Sequence, residues 1–341
     1  MSSSTATSAA IPTGSTSLSL QRSRRTDWLV FLVVMATFAL VPPLLGGFAL
    51  YIATIVAIFA IAALGLQIMV GLAGQLSLGH AAFLGVGAYT SVLLQKLYGV
   101  PFLAAVAIAT LVSALVGLLM GQLVRLSGIY FKIATFGFGI IVYQLLSNWS
   151  SVTGGHTGLI GIPPIRILGT VFRDRLSMFI IAMIYLAVTY ALLLRLTHGR
   201  AGRAFRALGQ NEAAAQSIGI PAASYKMAVI AIGCGAAGLA GTLLPHVYNF
   251  LNPEEFTWLQ SLVLLIIITV GGLGSLPGAI VGAVVLVVVP EYLRAFQEYK
   301  MLAYGVLLIV SMIFMPRGIA GIVQGLVTRI RGRRVPAETP P

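Results

Sequence analysis

Residues 48–80 read FALYIATIVAIFAIAALGLQIMVGLAGQLSLGH, a long apolar run that ends in a polar, glycine-rich segment. The first part, 48–70, carries no charge and exceeds the roughly 20 apolar residues that a membrane-crossing helix needs. The second part, Gly71–His80, which we call the first break, contains three glycines and the polar residues Gln75 and Ser77. Unwound backbone is tolerated at membrane depth only against protein or a water-filled cavity. The stretch therefore predicts a membrane helix followed by a segment of a substrate pathway.

The same apolar character extends along the whole chain. Of its 341 residues, 58% are hydrophobic and 9% are charged, whereas soluble domains carry about 25% charged residues. The composition excludes a soluble globular domain and predicts an all-α polytopic membrane protein with about ten transmembrane helices, roughly eight to ten. We place these spans at 28–45, 48–70, 80–97, 101–124, 128–147, 176–195, 226–248, 258–271, 277–293 and 299–315.

The basic residues are distributed unevenly between the two sides that ten spans define. If the N-terminus is cytoplasmic, most of the 21 lysines and arginines lie in the cytoplasm and most acidic residues lie outside. This is the bias that the positive-inside rule describes, so both termini are expected in the cytoplasm. We expect 1–26 to be a disordered N-terminal tail, 27–325 the transmembrane domain and 326–341 a basic C-terminal tail. The net charge of +13 then reflects topology and attraction to lipid, not a nucleic-acid surface.

One connection between spans is long and polar. Gly199–Ile220, GRAGRAFRALGQNEAAAQSIGI, which we call the polar loop, lies on the cytoplasmic side by charge bias. On a helix, one face would carry Arg203, Arg206 and Gln210. The other face would carry Phe205, Leu208 and Glu212. The first face suits an acidic soluble partner and the second suits the membrane domain; the alternative is an ordinary loop made basic by topology.

A second glycine-rich interruption is similar in sequence to the first. Gly271–Gly278, GGLGSLPG, which we call the second break, follows a valine as the first break does. Paired interruptions of this kind point to a transport pathway, although tight turns between spans are the alternative. The residues that we assign to the pathway are Gly74, Gln75, Ser77, His80, Thr135 and Gln144. In the external loop TGGHTGL, Gly154 and Gly155 allow a tight turn at an outer vestibule.

Motifs for catalysis and for ion-driven transport are missing from the sequence. Lys132 lies near the start of a span, and no other Asp, Glu, Lys or Arg lies in the middle of one, whereas proton- or ion-driven carriers usually need an intramembrane relay. The chain lacks a phosphate-binding GxxxxGK[ST] motif, and its four histidines and single cysteine show no metal-ligand spacing. We therefore expect no catalytic residue, no metal and an energy source outside this chain. An ATP-independent channel or secondary carrier is the alternative from another class.

Three segments resemble the membrane subunit of bacterial ABC importers for branched-chain amino acids, most of all the LivM-type permease. They are GLAGQLSLGHAAFLGVGAYTSVLL (71–94), TGGHTGL (153–159) and GRAFRALGQNEAAAQSIGI (202–220). The resemblance runs from about residue 28 to 325, in the same order and spacing. It implies import of leucine, isoleucine and valine; related permeases move urea, short amides or aromatic acids, which the motifs do not separate.

The resemblance also implies the partners. Glu212, Ala213 and Ala214 occupy the place of the EAA loop that docks into the ATPase, although Gly219 comes one residue late and no later Leu-Pro follows. The coupling residues that it implies are Arg203, Arg206, Gln210, Glu212, Ala213, Ala214 and Gly219. The expected partners are a LivH-type permease, two LivG/LivF-type ATPase subunits that use ATP and Mg, and an extracytoplasmic binding protein. This chain itself would bind no cofactor and would lie in a bacterial inner membrane.

Overall fold

The computed structural model describes residues 24–44, 46–125, 128–167 and 169–292, together with Gly305. Apart from Gly305, the expected tenth span, 299–315, lies outside these residues, as do nearly all of the two expected tails. The described part is predominantly helical, as the sequence predicts.

The helices and strands are as follows. The α-helices are α1 (Arg24–Leu44), α2 (Gly47–Gln67), α3 (His80–Tyr98), α4 (Phe102–Gly121), α5 (Gly128–Asn148), α6 (Ser150–Thr153), α7 (Arg175–His198), α8 (Arg200–Gln210), α9 (Glu212–Ser217), α10 (Ala222–Gly241), α11 (Leu244–Tyr248), α12 (Trp258–Gly271) and α13 (Leu276–Tyr292). A π-helical turn, Ile68–Leu72, extends α2, and short 3₁₀ turns cover Gln122–Arg125, Gly155–Thr157 and Pro253–Phe256. The strands are β1 (Leu159–Ile160), β2 (Ile165–Ile167), β3 (Thr170–Phe172) and β4 (Phe250–Leu251).

Within the described residues, five helices are long and apolar enough to cross a membrane. They are Gly47–Leu72, Phe102–Val124, Ile129–Asn148, Arg175–His198 and Ala222–Tyr248. The pair α12 and α13 is bent by 120° at the second break and gives a sixth candidate if it forms one span. These five or six candidates confirm a polytopic membrane protein, whereas the count of ten stays a prediction.

Helix α2 forms the centre of the bundle. Every residue from Ile52 to Gln67 is buried, because α2 is apolar on all sides and must therefore be covered on all sides. It packs against α7, α10 and α13. The helix that leads into the first break is thus enclosed by protein.

Glycines bring α3, α4 and α10 into backbone contact. A Cβ atom at Gly87 in α3 would overlap the carbonyl group of Gly238 in α10, and one at Gly241 would overlap that of Leu84. Small residues at such crossings allow helices to associate closely in a membrane.

Replacing Gly87 with alanine should therefore destabilise the fold. The added methyl group forces α3 away from α10, and overpacking of this kind costs about 1–3 kcal/mol. Gly137 in α5 is the matched control, because a Cβ atom there meets nothing within 4 Å. In thermal unfolding of the purified protein, Gly87→Ala should lower the Tm while Gly137→Ala leaves it unchanged or slightly raised. Equal effects of the two substitutions would contradict this packing.

Short strands close the end of the bundle that lies opposite the polar loop. Strand β1 pairs antiparallel with β4, and β2 pairs with β3. The Lys96 Nζ atom donates a hydrogen bond of 2.9 Å to the carbonyl oxygen of Ile160. Helix α10, about 30 Å long at 1.5 Å per residue, separates this end from the polar loop. Nearby, the hydroxyl and amide of Ser177 donate to the Asp174 carboxylate, which caps α7, and hold its pKa below its usual range.

Candidate functional site

The first break begins where α2 changes from α- to π-helical winding. The π-helical turn Ile68–Leu72 is closed by hydrogen bonds from the amides of Ala73 and Gln75 to the carbonyls of Ile68 and Met69. Gly74 follows with φ +67°, a left-handed conformation that favours glycine. Single π-helical turns often occur at functional sites. Here the turn ends α2, and the chain continues without regular helical hydrogen bonds.

The far end of the first break is held by two other helices. The amide of Leu78 donates to Thr135 Oγ1 of α5 at 3.2 Å, and the amide of Ala81 donates to Ser261 Oγ of α12 at 2.9 Å. Gly79 lies so close to α5 that a Cβ atom there would overlap the carbonyl oxygen of Thr135. The structure therefore brings Thr135 to the first break, as the sequence analysis expects, and adds Ser261, which that analysis misses.

Polar groups of the first break lead from the surface into the interior. Gly74 is exposed and Gln75 is half-buried, whereas Ser77 and His80 are fully buried. Ser77 Oγ has no hydrogen-bond partner among the described residues, whereas the imidazole of His80 faces the main chain of Ala62. An unsatisfied buried polar group costs about 1–3 kcal/mol. Ser77 Oγ therefore carries this cost in the described conformation.

The two breaks meet each other. A Cβ atom at Gly71 would lie 2.5 Å from the amide nitrogen of Gly274. Gln67, one turn before Gly71, donates from Nε2 to the carbonyl oxygens of Gly272 at 2.9 Å and Ser275 at 3.2 Å. The sequence analysis pairs the breaks only by their similarity and does not identify Gln67, for which the one signal is an amide inside a long apolar run.

The polar loop folds into two helices, α8 and α9, instead of one. Phe205 and Leu208 are buried, and Arg203 and Gln210 are exposed, as the two-faced helix predicts. The placement of Glu212 on that helix is wrong, because Asn211 adopts an extended conformation and caps a new helix by accepting from the Ala214 amide at 3.0 Å.

The C-terminal end of α8 rests on the first break. A Cβ atom at Gly209 would overlap the carbonyl oxygen of Leu72, and a Cβ atom at Gly74 would lie 3.5 Å from Gly209 Cα. On the same helix, Arg206 donates from Nη2 to the carbonyl oxygen of Thr197 at the end of α7, at 3.0 Å. Arg206 therefore holds the loop to the membrane domain, although it was assigned to the outward face. Backbone contact through Gly209 joins the polar loop to the pathway candidate.

An ion pair fixes α9 to the start of α10. Lys226 Nζ lies 2.6 Å from Glu212 Oε2, with side chains that are 8% and 46% exposed, respectively. A nearly buried ammonium group needs a partner because its desolvation is costly. Lys226 is one of the basic residues expected on the cytoplasmic side, but its pairing with Glu212 could not be predicted because the two residues lie 14 positions apart.

The remaining coupling candidates lie on the open surface of the polar loop. Ala213 and Ala214 are exposed, and Gly219 is exposed with φ +84°. Beside them Ile218 is 74% exposed, a large apolar side chain at the tip of a polar segment. A single exposed apolar side chain is common on protein surfaces, so Ile218 marks an accessible position on the polar loop and not an interface by itself.

Gln144 and the external glycines lie apart from the first break. Gln144 is exposed and accepts from Asn148 Nδ2 at 3.0 Å; it lies about 13 Å beyond Thr135 along α5 at 1.5 Å per residue. Gly154 and Gly155 both have positive φ, and a Cβ atom at Gly154 would overlap the carbonyl oxygen of Gly158. These residues thus share the end of the bundle that carries the strands.

Comparison with known proteins gives a consistent result. The family described as "Branched-chain amino acid transport system / permease component" matches residues 48–312, which include both breaks and the polar loop. The branched-chain amino acid permease LivM of Salmonella typhimurium is 37% identical over 292 residues, covering 79% of this chain and 69% of the relative. LivM of Escherichia coli K12 is 35% identical over 315 residues, covering 85% and 74%. LivH of Salmonella typhimurium is 26% identical over 286 residues, covering 77% and 91%. No solved structure matches the chain.

Proposed function

The chain belongs to the family of branched-chain amino acid transport permeases, and from this premise we propose that it is the transmembrane permease subunit of an ATP-driven ABC importer. It translocates leucine, isoleucine and valine that an extracytoplasmic binding protein delivers. The polar loop is its coupling segment, and the first break is part of its translocation pathway.

The contact between Gly209 and the first break is the observation that carries this proposal. A loop that binds an ATPase can drive transport only if its movement reaches the substrate pathway. Gly209 lies against the carbonyl group of Leu72, and Gly74 lies against Gly209. Because backbone touches backbone there, without flexible side chains between, displacement of α8 is passed directly to the first break.

The exposed surface of the polar loop supports a separate ATPase as the source of that movement. Arg200 and Arg203 give it a basic edge, and Ile218 gives it an apolar contact point. Two LivG/LivF-type ATPase subunits would supply ATP hydrolysis with Mg, and a LivH-type permease would complete the membrane domain. In this arrangement the chain lies in a bacterial inner membrane, with both termini on the cytoplasmic side.

The fully buried polar groups suit a small zwitterionic substrate. The Ser77 hydroxyl and the imidazole of His80 can both donate and accept hydrogen bonds. The N-terminus of α3 adds a partial positive charge that favours a carboxylate. The LivM and LivH relatives are named for transport of branched-chain amino acids, which favours these substrates over urea, amides or aromatic acids.

Reconstitution of the complete complex tests the proposal. Proteoliposomes that contain this chain, a LivH-type permease and both ATPase subunits should accumulate labelled leucine only with the binding protein outside and ATP inside. Unlabelled isoleucine and valine should compete, whereas urea, acetamide and phenylalanine should not. Leucine entry without ATP would contradict the importer and favour a channel or secondary carrier. If only urea or phenylalanine blocks uptake, the protein is still an importer subunit, but its substrate is not a branched-chain amino acid.

A further inference from the structure

Gln67 is the only polar side chain that the structure places directly between the two breaks within the described residues. It is fully buried at the end of α2, where the π-helical turn begins. Its Nε2 atom donates to two carbonyl oxygens that lie more than 200 residues away, those of Gly272 and Ser275. These carbonyls flank the bend between α12 and α13. One amide therefore ties the first break to the second.

The unpaired half of the amide distinguishes Gln67 from a simple packing residue. Its Oε1 atom is buried and has no hydrogen-bond partner among the described residues. A buried acceptor without a partner destabilises the state in which it is found. An apolar side chain of similar length would fill the same space without this cost. The amide thus stabilises the closed junction through Nε2 and destabilises it through Oε1, which is the balance expected of a contact that must open.

The contacts around Gln67 include close backbone-to-backbone approaches, in addition to the packing of α2 along α13. Gly71 lies against Gly274, and a Cβ atom at Gly271 would overlap the carbonyl oxygen of Gly278. Gly209 of the polar loop contacts Leu72 within the same π-helical turn. Movement of α8 therefore acts on the turn that begins beside Gln67.

We propose that Gln67 is a positioning residue that latches the two breaks together in the closed pathway and releases the second break when the polar loop moves. This inference rests on the proposed function, because it assigns the release to ATP-driven movement of that loop. Release exposes Oε1 to water and frees both carbonyl oxygens at the bend. The pathway then opens along Gly74, Ser77 and His80.

Two substitutions separate the latch from packing. Gln67→Met keeps an unbranched side chain of similar length and removes both hydrogen bonds. Gln67→Glu keeps the shape, and because burial favours the neutral acid, its single O–H can donate to only one of the two carbonyl oxygens. The matched control is Gln95→Met in α3, because among the described residues Gln95 donates only to Ser91 of the same helix, at 3.1 Å. For labelling, each is made in the complete complex with Cys234→Ala and Ser77→Cys, so that one small hydrophilic thiol reagent reports opening at the first break. Uptake per ATP is measured in the same variants, and in the parent, with Ser77 intact.

Both latch variants should label faster in the nucleotide condition in which the parent complex labels more slowly. Interhelical hydrogen bonds in membranes each shift an equilibrium by about threefold. Labelling should therefore accelerate about threefold in Gln67→Glu, which loses one bond, and up to about tenfold in Gln67→Met, which loses both. Leucine uptake per ATP hydrolysed should fall in both variants, whereas Gln95→Met should match the parent on both measurements. A role in stability alone would lower complex yield without changing the uptake per ATP of the complexes that assemble.

The latch is overturned if Gln67→Met and Gln67→Glu label and couple as the parent does. If size-exclusion chromatography shows that the Gln67→Met complex does not assemble, labelling and uptake per ATP in the Gln67→Glu complex test the latch. Failure of the proposed function looks different, because the parent complex itself would then show no ATP-driven leucine uptake. If the parent takes up leucine normally but Ser77→Cys does not react with the reagent in any condition, the uptake per ATP hydrolysed alone tests the latch.

Discussion

Glu212→Lys should abolish leucine uptake in the reconstituted complex. The substitution places a second ammonium group beside the nearly buried Lys226, where the two partners now lie 2.6 Å apart. Loss of a fully buried pair costs about 3–5 kcal/mol; because the Glu212 side chain is 46% exposed, we expect about 1–2 kcal/mol for removal of the pair and more for its reversal. Since each 1.4 kcal/mol is tenfold in an equilibrium, uptake should fall by at least about tenfold.

The reciprocal exchange is the control for this result. Glu212→Lys combined with Lys226→Glu restores opposite charges across the contact and should recover most of the uptake. Glu212→Gln, which leaves Lys226 without a charged partner but adds no repulsion, should give an intermediate value. If the exchanged pair assembles normally but does not recover leucine uptake, Glu212 acts on another protein and not through Lys226.

The labelling rate of a cysteine at position 77 should differ between nucleotide states by on the order of a hundredfold. This is the protection expected when the open state makes up about 1% of the population. In the structure Ser77 is fully buried, so in this conformation the thiol is shielded from a small hydrophilic reagent. Opening of the first break during ATP turnover exposes it. The measurement is the labelling rate in a Cys234→Ala background, with and without trapped ATP.

Ser224→Cys supplies the comparison for the Ser77 experiment. Ser224 is exposed at the start of α10, so its thiol should react quickly in every nucleotide state. Complete inertness of Ser77→Cys under all conditions, with Ser224→Cys reactive, would make the first break a structural turn. The pathway would then have to run along α5 between Thr135 and Gln144.

Much of the helical framework follows from hydrophobic length. The span expected at 48–70 corresponds to α2 with its π-helical turn, and both breaks fall between helices as their glycines indicate. The short strands were not predicted, because β1 and β4 have two residues each and are defined by pairing across about 90 residues of chain. The 120° bend between α12 and α13 was also missed, since periodicity carries no information on the angle between helices.

Less of the site could be predicted, for a physical reason. Polar residues inside apolar segments identify Ser77, His80 and Thr135 as candidates, and the structure places all three at the first break. Contacts made by a glycine or a main-chain carbonyl leave no side-chain signature, so the role of Gly209 became visible only in three dimensions. Lys226 and Gln67 were missed because their partners are remote in sequence.

The ratio of leucine taken up to ATP hydrolysed, measured in the same proteoliposomes, tests most directly whether the polar loop transmits ATPase movement to the first break. For Glu212→Lys we predict continued hydrolysis with uptake lost, so that the ratio falls by at least about tenfold, and a ratio near that of the parent when Lys226→Glu is added. Uptake and hydrolysis that fall in parallel, with the ratio unchanged in both variants, would contradict the account.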